Sequence, residues 1–282
     1  MSATVDLSWG AETDRGLRRS ANEDSFLAEP PLFLVADGMG GHEAGAEASR
    51  AVIDGFRPLS GRASVTVEDI QAAFAVASDR VGSIETQRFA AGTTLTGVAV
   101  SEQGGVTYWL VLNIGDSRTY RLFDGELEQI SVDHSAVQAM VDRGEIDAEA
   151  AEAHPERNVV TRAVGAGSAG APDYWMLPAR AGDRLMVCSD GLSKELGFAQ
   201  IRAALTAEPS PQAAATRLLH EALLQGGRDN VTVVVVDAHS VVAVGDDETL
   251  PRGHGAPDMN DIDEDTVPRA PRQGKETQRA DL

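Results

Sequence analysis

Residues 32–46 read LFLVADGMGGHEAGA. Five apolar residues, Leu32 to Ala36, run straight into Asp37, and glycines follow at 38, 40 and 41. A carboxylate at the end of a buried run is costly to desolvate unless something pairs with it. Three readings compete: a hairpin turn, a phosphate-cradling loop and a metal site. Asp-Gly is a strong hairpin signal, but no alternating strand follows. Instead Ala44, Ala48, Ala51, Val52 and Phe56 fall near helical spacing. The unit is strand, Asp-Gly loop, helix. Neither phosphate-loop pattern fits: G-x-x-x-x-G-K-[ST] is absent, and G-x-G-x-x-G fails because position 43 is Glu. A metal site stays open, and it requires more carboxylates from elsewhere in the chain.

The 282 residues are enough for one large domain or two small ones, and 42% hydrophobic content is that of a globular chain. A net charge of −20 argues against nucleic acid or an anionic membrane surface as a partner, and it favours divalent cations. The single cysteine, Cys188, excludes an internal disulfide and a multi-thiolate metal site; within RLMVCSDG it reads as a small buried hydrophobe. No apolar run approaches the 18 residues of a membrane span. MSATVDLSWG lacks the basic and apolar regions of a signal peptide. A soluble, cytoplasmic protein is expected.

Composition changes near residue 239. The stretch 239–282 is rich in Pro, Gly and Asp, with 10 acidic and 5 basic residues, and is expected to be a disordered acidic tail. The remaining 34 acidic and 19 basic residues make the domain, 1–238, acidic in its own right. Within it, short strands are expected at about 5–11, 24–29 and 32–36, then helices at about 42–57 and 66–86. Strands follow at 93–100, 105–114, 117–123 and 126–130, with Asp124-Gly125 as a hairpin turn. A looser stretch with one helical piece fills 133–170. Strands at 173–178 and 183–188, helices at 198–206 and 210–224 and a last strand at 231–237 complete the domain. Strands in consecutive runs with helices in pairs argue for an α+β fold with antiparallel sheets.

Aspartates recur where these strands meet loops. Asp37-Gly38 follows FLVA, Asp116 follows LVLNIG, Asp190-Gly191 follows RLMVCS, and Asp229-Asn230 precedes VTVVVV. One such aspartate is an ordinary turn residue; four that could share a sheet edge are harder to dismiss. Two like charges at ~4 Å repel by about 4 kcal/mol at an effective dielectric of 20. Gathered carboxylates must therefore take up protons or bind cations, and all-oxygen ligands favour Mg²⁺ or Mn²⁺ over zinc. An anionic substrate would also need a positive anchor. RGLRRSANEDSF offers Arg19 as a bidentate phosphate binder, with Glu23 and Asp24 suited to holding metal-bound waters. Taken alone, these charges read as a solvated surface.

In order along the chain stand RSANEDS, FLVADGMGGHEAG, AGTTLTGVAV, LNIGDSRTYRL, VDHS, RNVVTRAVG, DRLMVCSDGLSKEL and GGRDNVTVVVV. Over roughly Leu7 to Asp237 this resembles the metal-dependent protein serine/threonine phosphatases of type 2C (the PPM family), in their bacterial form. The resemblance implies a four-layer αββα sandwich of two antiparallel sheets flanked by helix pairs. It implies hydrolysis of phosphoserine and phosphothreonine in proteins, opposing a bacterial Ser/Thr kinase, by a water activated between two Mn²⁺ or Mg²⁺ ions. Asp37 would bridge the two ions, the Gly38 carbonyl would ligate one, and Asp190 and Asp229 the other. Asp116 with Asp190 resembles a third, weaker metal site. Arg19 would hold the substrate phosphate, Glu23 and Asp24 would order metal waters, and Asn230 would support Asp229. The stretch from about 135 to 160 resembles the flap beside the active site.

Animal members carry a histidine near the Asp-Gly strand end, where this chain has Met39. His42, His134 and His154 read as capping, structural or flap residues. A phosphoprotein-binding pseudophosphatase and a small-molecule phosphatase are the alternatives; the first is expected to lack a metal carboxylate, and none is missing here. The chain is expected to act as a monomer on phosphorylated proteins. The tail repeats DDETLPR at 246–252 and DEDTVPR at 263–269. The repeat reads either as coincidence in a low-complexity acidic linker or as a pair of kinase sites, Thr249 and Thr266, which once phosphorylated would dock an FHA domain. Mass spectrometry of the chain co-expressed with the kinase reads this directly.

Overall fold

The structure is a computed structural model, and it describes residues 5–40, 43–84, 90–165 and 170–241. Strands β1 (Val5–Asp14), β2 (Asp24–Glu29) and β3 (Leu32–Met39) lead into α1 (Glu43–Phe56), a 3-10 turn at Arg57–Leu59 and α2 (Val67–Gly82). Strands β4 (Gly92–Thr93), β5 (Leu95–Gln103), β6 (Val106–Ile114), β7 (Arg118–Phe123) and β8 (Glu126–Gln129) follow. Helices α3 (Ala136–Asp142) and α4 (Ala148–Ala153) precede β9 (Val164–Gly165), β10 (Asp173–Pro178) and β11 (Arg184–Cys188). The chain then forms α5 (Asp190–Ser193), α6 (Phe198–Ala207), α7 (Pro211–Gln225) and β12 (Val231–Val241).

One sheet has the order β1-β12-β11-β7-β8. The other runs β10-β6-β5-β3-β4-β9, with β2 paired to β3. The strand pairings are antiparallel. The apolar runs in β3 and β12 follow from this stacking, because each strand is covered on both faces. Leu32, Leu34 and Ala36 face α1 and α2 in a core with Val52, Phe56 and Ile70. Phe33 and Val35 turn to the other sheet and meet Trp109, Leu185, Val234 and Val236. Val231, Val233 and Val235 face the second helical layer, against Leu218 and Leu219 of α7 and Ile201 of α6. Three cores between four layers make the α+β sandwich that the resemblance implies.

Local chemistry sets the element ends. The Thr66 hydroxyl accepts from Asp69 N at 3.1 Å while the Asp69 carboxylate accepts from Thr66 N at 3.0 Å, so α2 opens on a capping box. The Ser210 hydroxyl accepts from Ala213 N and Pro211 occupies the first turn of α7. Asp183, an acid whose side chain is fully buried, sits at the turn before β11. It accepts from Trp109 Nε1 at 2.9 Å, from Arg121 Nε at 2.8 Å and from Arg180 N at 2.8 Å.

The structure departs from the sequence reading in several places. The strand carrying Asp37 does not stop there but continues to Met39, pairing Gly38 with Thr93 and Met39 with Gly92. The stretch 133–170 holds two short helices and not one, each opened by a capping side chain: Ser135 bonds Gln138 N, and Asp147 bonds Ala150 N. The expected strand 93–100 is broken at Thr94, and β12 runs to Val241. The tail with Thr249 and Thr266 lies outside the described residues, as do His42 and residues 85–86 of the expected second helix. Among the described residues no helix is long and apolar enough to cross a membrane.

Candidate active site

The site forms where the ends of the two sheets meet. Asp24 and Asp37 are cross-strand partners in the β2–β3 ladder. Two acids directly opposite repel, so something must offset them. Asp37 is held from both sides of its peptide: its N–H donates to Thr94 Oγ1 at 2.9 Å, and its carbonyl accepts from Thr93 Oγ1 at 2.9 Å and Thr94 N at 2.9 Å. Thr94 in turn shares a hydroxyl bond of 2.8 Å with Ser117, next to Asp116. The AGTTLTG segment thus ties Asp37 to the Asp116 loop.

Gly38 follows because the chain is crowded there. A Cβ on Gly38 would overlap the Gly45 carbonyl of α1, and its N–H donates to the Glu23 carbonyl at 3.2 Å. The same carbonyl accepts from Ser49 Oγ at 2.6 Å, so Glu23 is anchored to α1 through its backbone.

Asp190 is the first residue of α5, just after β11, and Asp229 stands two residues before β12. Asp229 Oδ1 accepts from Asn230 N at 2.8 Å, and Oδ2 pairs with Arg19 at 2.7 Å. The Asn230 side chain is spent elsewhere. Its Oδ1 accepts from Glu23 N at 2.9 Å, and its Nδ2 donates to the carbonyls of Arg15 at 2.9 Å and Ala21 at 2.8 Å. Asn230 therefore fastens the whole segment that carries Arg19 and Glu23. Arg19, about half exposed, lies at the rim; partial burial opposes its charge, but the bond to Asp229 and the charges of Asp229, Glu23 and Asp37 hold it ionised.

Asp116 lies in the loop between β6 and β7. His134 clamps the preceding residue: Gly115 N donates to its Nδ1 at 3.1 Å, and its own N–H donates to Gly115 O at 2.8 Å. Its Nε2 lies 2.9 Å from Asp173 Oδ2 and 2.8 Å from Arg162 Nη1, so both ring nitrogens are taken up by the fold. His134 is thus structural, as the sequence suggests. His154 closes α4, its Nδ1 accepting from Glu156 N at 3.1 Å.

The electrostatics show the acids acting on one another. Loss of hydration drives the Asp37 carboxyl well above the ordinary range, and Asp24, Asp190, Asp116 and Asp229 all push the same way. Burial lifts Asp24 to about 7 against the hydrogen bonds of Thr232 and Ser189, with Asp190 and Asp229 adding to it. Burial likewise lifts Asp116 to about 7, with Asp190 adding and Lys194 opposing. Ser189 Oγ donates to Asp24 Oδ2 at 2.8 Å and Thr232 Oγ1 at 2.7 Å. Asp24 Oδ1 and Asp190 Oδ1 are buried with no hydrogen-bond partner among the described residues.

Among the described residues, no three Asp, Glu, His or Cys side chains stand in an arrangement that holds a metal ion directly. Two of the carboxylates are instead turned to cations of the chain, Asp229 to Arg19 and Asp190 to Lys194. The donor chemistry nevertheless suits a hard divalent ion: oxygen donors alone, mutual repulsion to relieve, and two buried oxygens with nothing to bond. Lys194, Thr93, Thr94, Ser189 and Thr232 are the parts that the sequence reading missed. Only the hydroxyl-rich strand ends, TT and CS, signalled any of them.

A stability consequence follows for the metal-free protein. Asp24, Asp37 and Asp116 have folded pKa values above the ordinary carboxylate value of about 4. Folding binds their protons more tightly, so the stability they contribute is full below about pH 4 and is lost as the pH rises through about 7. In EDTA, the melting temperature is expected to fall between pH 5.5 and pH 8, and Mn²⁺ is expected to flatten that slope. An EDTA profile that rises or stays level across this window would refute it.

Residues 18–224 match the family model described as Protein phosphatase 2C. The serine/threonine protein phosphatase PstP of Mycobacterium tuberculosis is 42% identical over 239 residues, covering 83% of this chain and 45% of that protein. The chain thus spans under half the length of that curated relative. The serine/threonine phosphatase stp of Listeria monocytogenes is 33% identical over 241 residues, covering 80% of this chain and 93% of that protein. The crystal structure of the PstP catalytic domain in complex with two manganese ions superposes with a TM-score of 0.75 at 39% identity, covering 83% of this chain and 99% of that one. Agreement across the fold, the motif order and these relatives leaves one assignment: the chain belongs to the protein phosphatase 2C family.

Proposed function

We propose that this chain is a metal-dependent serine/threonine protein phosphatase that opposes a bacterial Ser/Thr kinase in the cytoplasm. The observation that carries the reading is the meeting of five acids: Asp24, Asp37 and Asp116, whose carboxyls are lifted by burial and by neighbouring acids, and Asp190 and Asp229, which pair with Lys194 and Arg19. Asp37 is the central acid and, with Gly38 O, Asp190 and Asp229, would hold two Mn²⁺ or Mg²⁺ ions. Bound there, the ions would supply Lewis-acid charge and a water acidic enough to attack near neutral pH. Arg19 would exchange Asp229 for the substrate phosphate; its fork geometry suits two phosphate oxygens and the charge that builds on them. Glu23 and Asp24 would orient water, and Ser189 and Thr232 would hold Asp24 in place.

Cys188 is excluded as a nucleophile. It is fully buried, and burial pushes its thiol up to about 12. Turnover of a phosphothreonine peptide is expected with Mn²⁺ and to vanish in EDTA. Equal rates in both would overturn the reading. Undiminished binding of the phosphopeptide without turnover would favour a pseudophosphatase.

A further inference from the structure

Lys194 is the one cation other than Arg19 seen to pair with the aspartate cluster among the described residues. It caps the C-terminal end of α5, donating its backbone N–H to Asp190 O at 2.8 Å. From there its side chain folds back and pairs Nζ with Asp190 Oδ2. The acid precedes the lysine by four residues, the favourable order along a helix. The side chain is 34% exposed, so most of its stem is packed. Its charge also acts on Asp116 and on Asp37.

Asp190 thereby divides its two oxygens. Oδ2 belongs to the lysine, while Oδ1 is buried and without a partner. Asp116 and Asp190 are the pair at which the family resemblance implies a third divalent ion. An ammonium paired with Asp190, whose charge also reaches Asp116, already offsets part of their charge, and it would repel a dication entering between them. Oδ1 of Asp190 and the Asp37 carboxylate stay available for two ions elsewhere in the cluster, joined by Asp229 once Arg19 turns to substrate.

We propose that Lys194 is a built-in counter-cation of the Asp116–Asp190 pair, so that this chain takes up two divalent ions and not a third. The inference rests on the metal-dependent reading above and fixes its stoichiometry. It is tested on the full chain by equilibrium dialysis against Mn²⁺ followed by metal analysis, alongside circular dichroism to confirm folding. The wild-type chain and Lys194→Arg, which keeps the charge, are expected to saturate at two ions per chain. Lys194→Ala is expected to saturate at three, and Lys194→Met gives the same readout should the alanine variant fold poorly. Adding Asp116→Asn to Lys194→Ala is expected to return the count to two. Three ions in the wild type, or two in both uncharged variants, would overturn the role of Lys194 while leaving metal dependence intact. No bound ion in any variant would sink the metal reading itself.

Discussion

Replacing Asp37 with Asn is expected to lower Mn²⁺-dependent hydrolysis of p-nitrophenyl phosphate on the order of 10³-fold, the scale seen when a single preorganised charge partner is lost from an active site. The size follows from position. Asp37 is the acid on which four others act, and its backbone is locked by Thr93 and Thr94. An amide keeps the shape but removes the charge that gathers cations. The same substitution is expected to raise the melting temperature in EDTA at pH 8, because it removes one of two facing acids in the β2–β3 ladder. A loss of activity together with a gain in metal-free stability separates a catalytic role from a structural one. Activity within about tenfold of wild type, measured against that order-of-magnitude expectation, would remove Asp37 from the centre of the mechanism.

The second large effect lies far from the chemistry. Asp183→Ala is expected to cost about 3–5 kcal/mol in urea or thermal unfolding, because breaking a buried pair leaves its partner charged and dry. Asp183 is 0% exposed and the Arg121 side chain only 13%. The same acid holds the indole N–H of Trp109, which sits in the core between the sheets. One carboxylate therefore joins β6, β7 and the turn before β11. For a domain of this size each kcal/mol corresponds to about 2–4 °C, so a fall in melting temperature on the order of 10 °C is expected. A loss below about 1 kcal/mol, the scale of an exposed pair, would show that Arg121 finds other partners.

The layers of the fold were legible because burial on two faces leaves a mark in sequence. LFLVA and VTVVVV could not alternate, since both of their faces are covered, and their length marked them as strands. The helix pairs showed by periodicity, as at Ile70, Ala77 and Val81. The shortest helices did not show individually. Helices α3, α4 and α5 hold seven, six and four residues, too few for a helical period to repeat. The acids of the site could be read because each interrupts or adjoins an apolar run. Their supports could not be. Asn230 bonds Glu23 and Ala21, more than 200 residues away in sequence, and no local pattern encodes such a contact. Lys194 stood in plain view, but as one lysine in SDGLSKEL it had no reason to be singled out from a solvated surface.

The acids of the site do not share one sheet. Asp24 and Asp37 ride on β2 and β3, Asp190 and Asp229 flank β11 and β12 of the other sheet, and Asp116 sits on the link between the two. The spacing of the cluster is then set by how closely the two sheets stack, which is the work of Phe33, Trp109, Leu185 and Val234 in the oily seam between them. That seam acts as a spacer for the reaction: its thickness is a catalytic dimension, and selection on turnover reaches side chains that never meet a substrate.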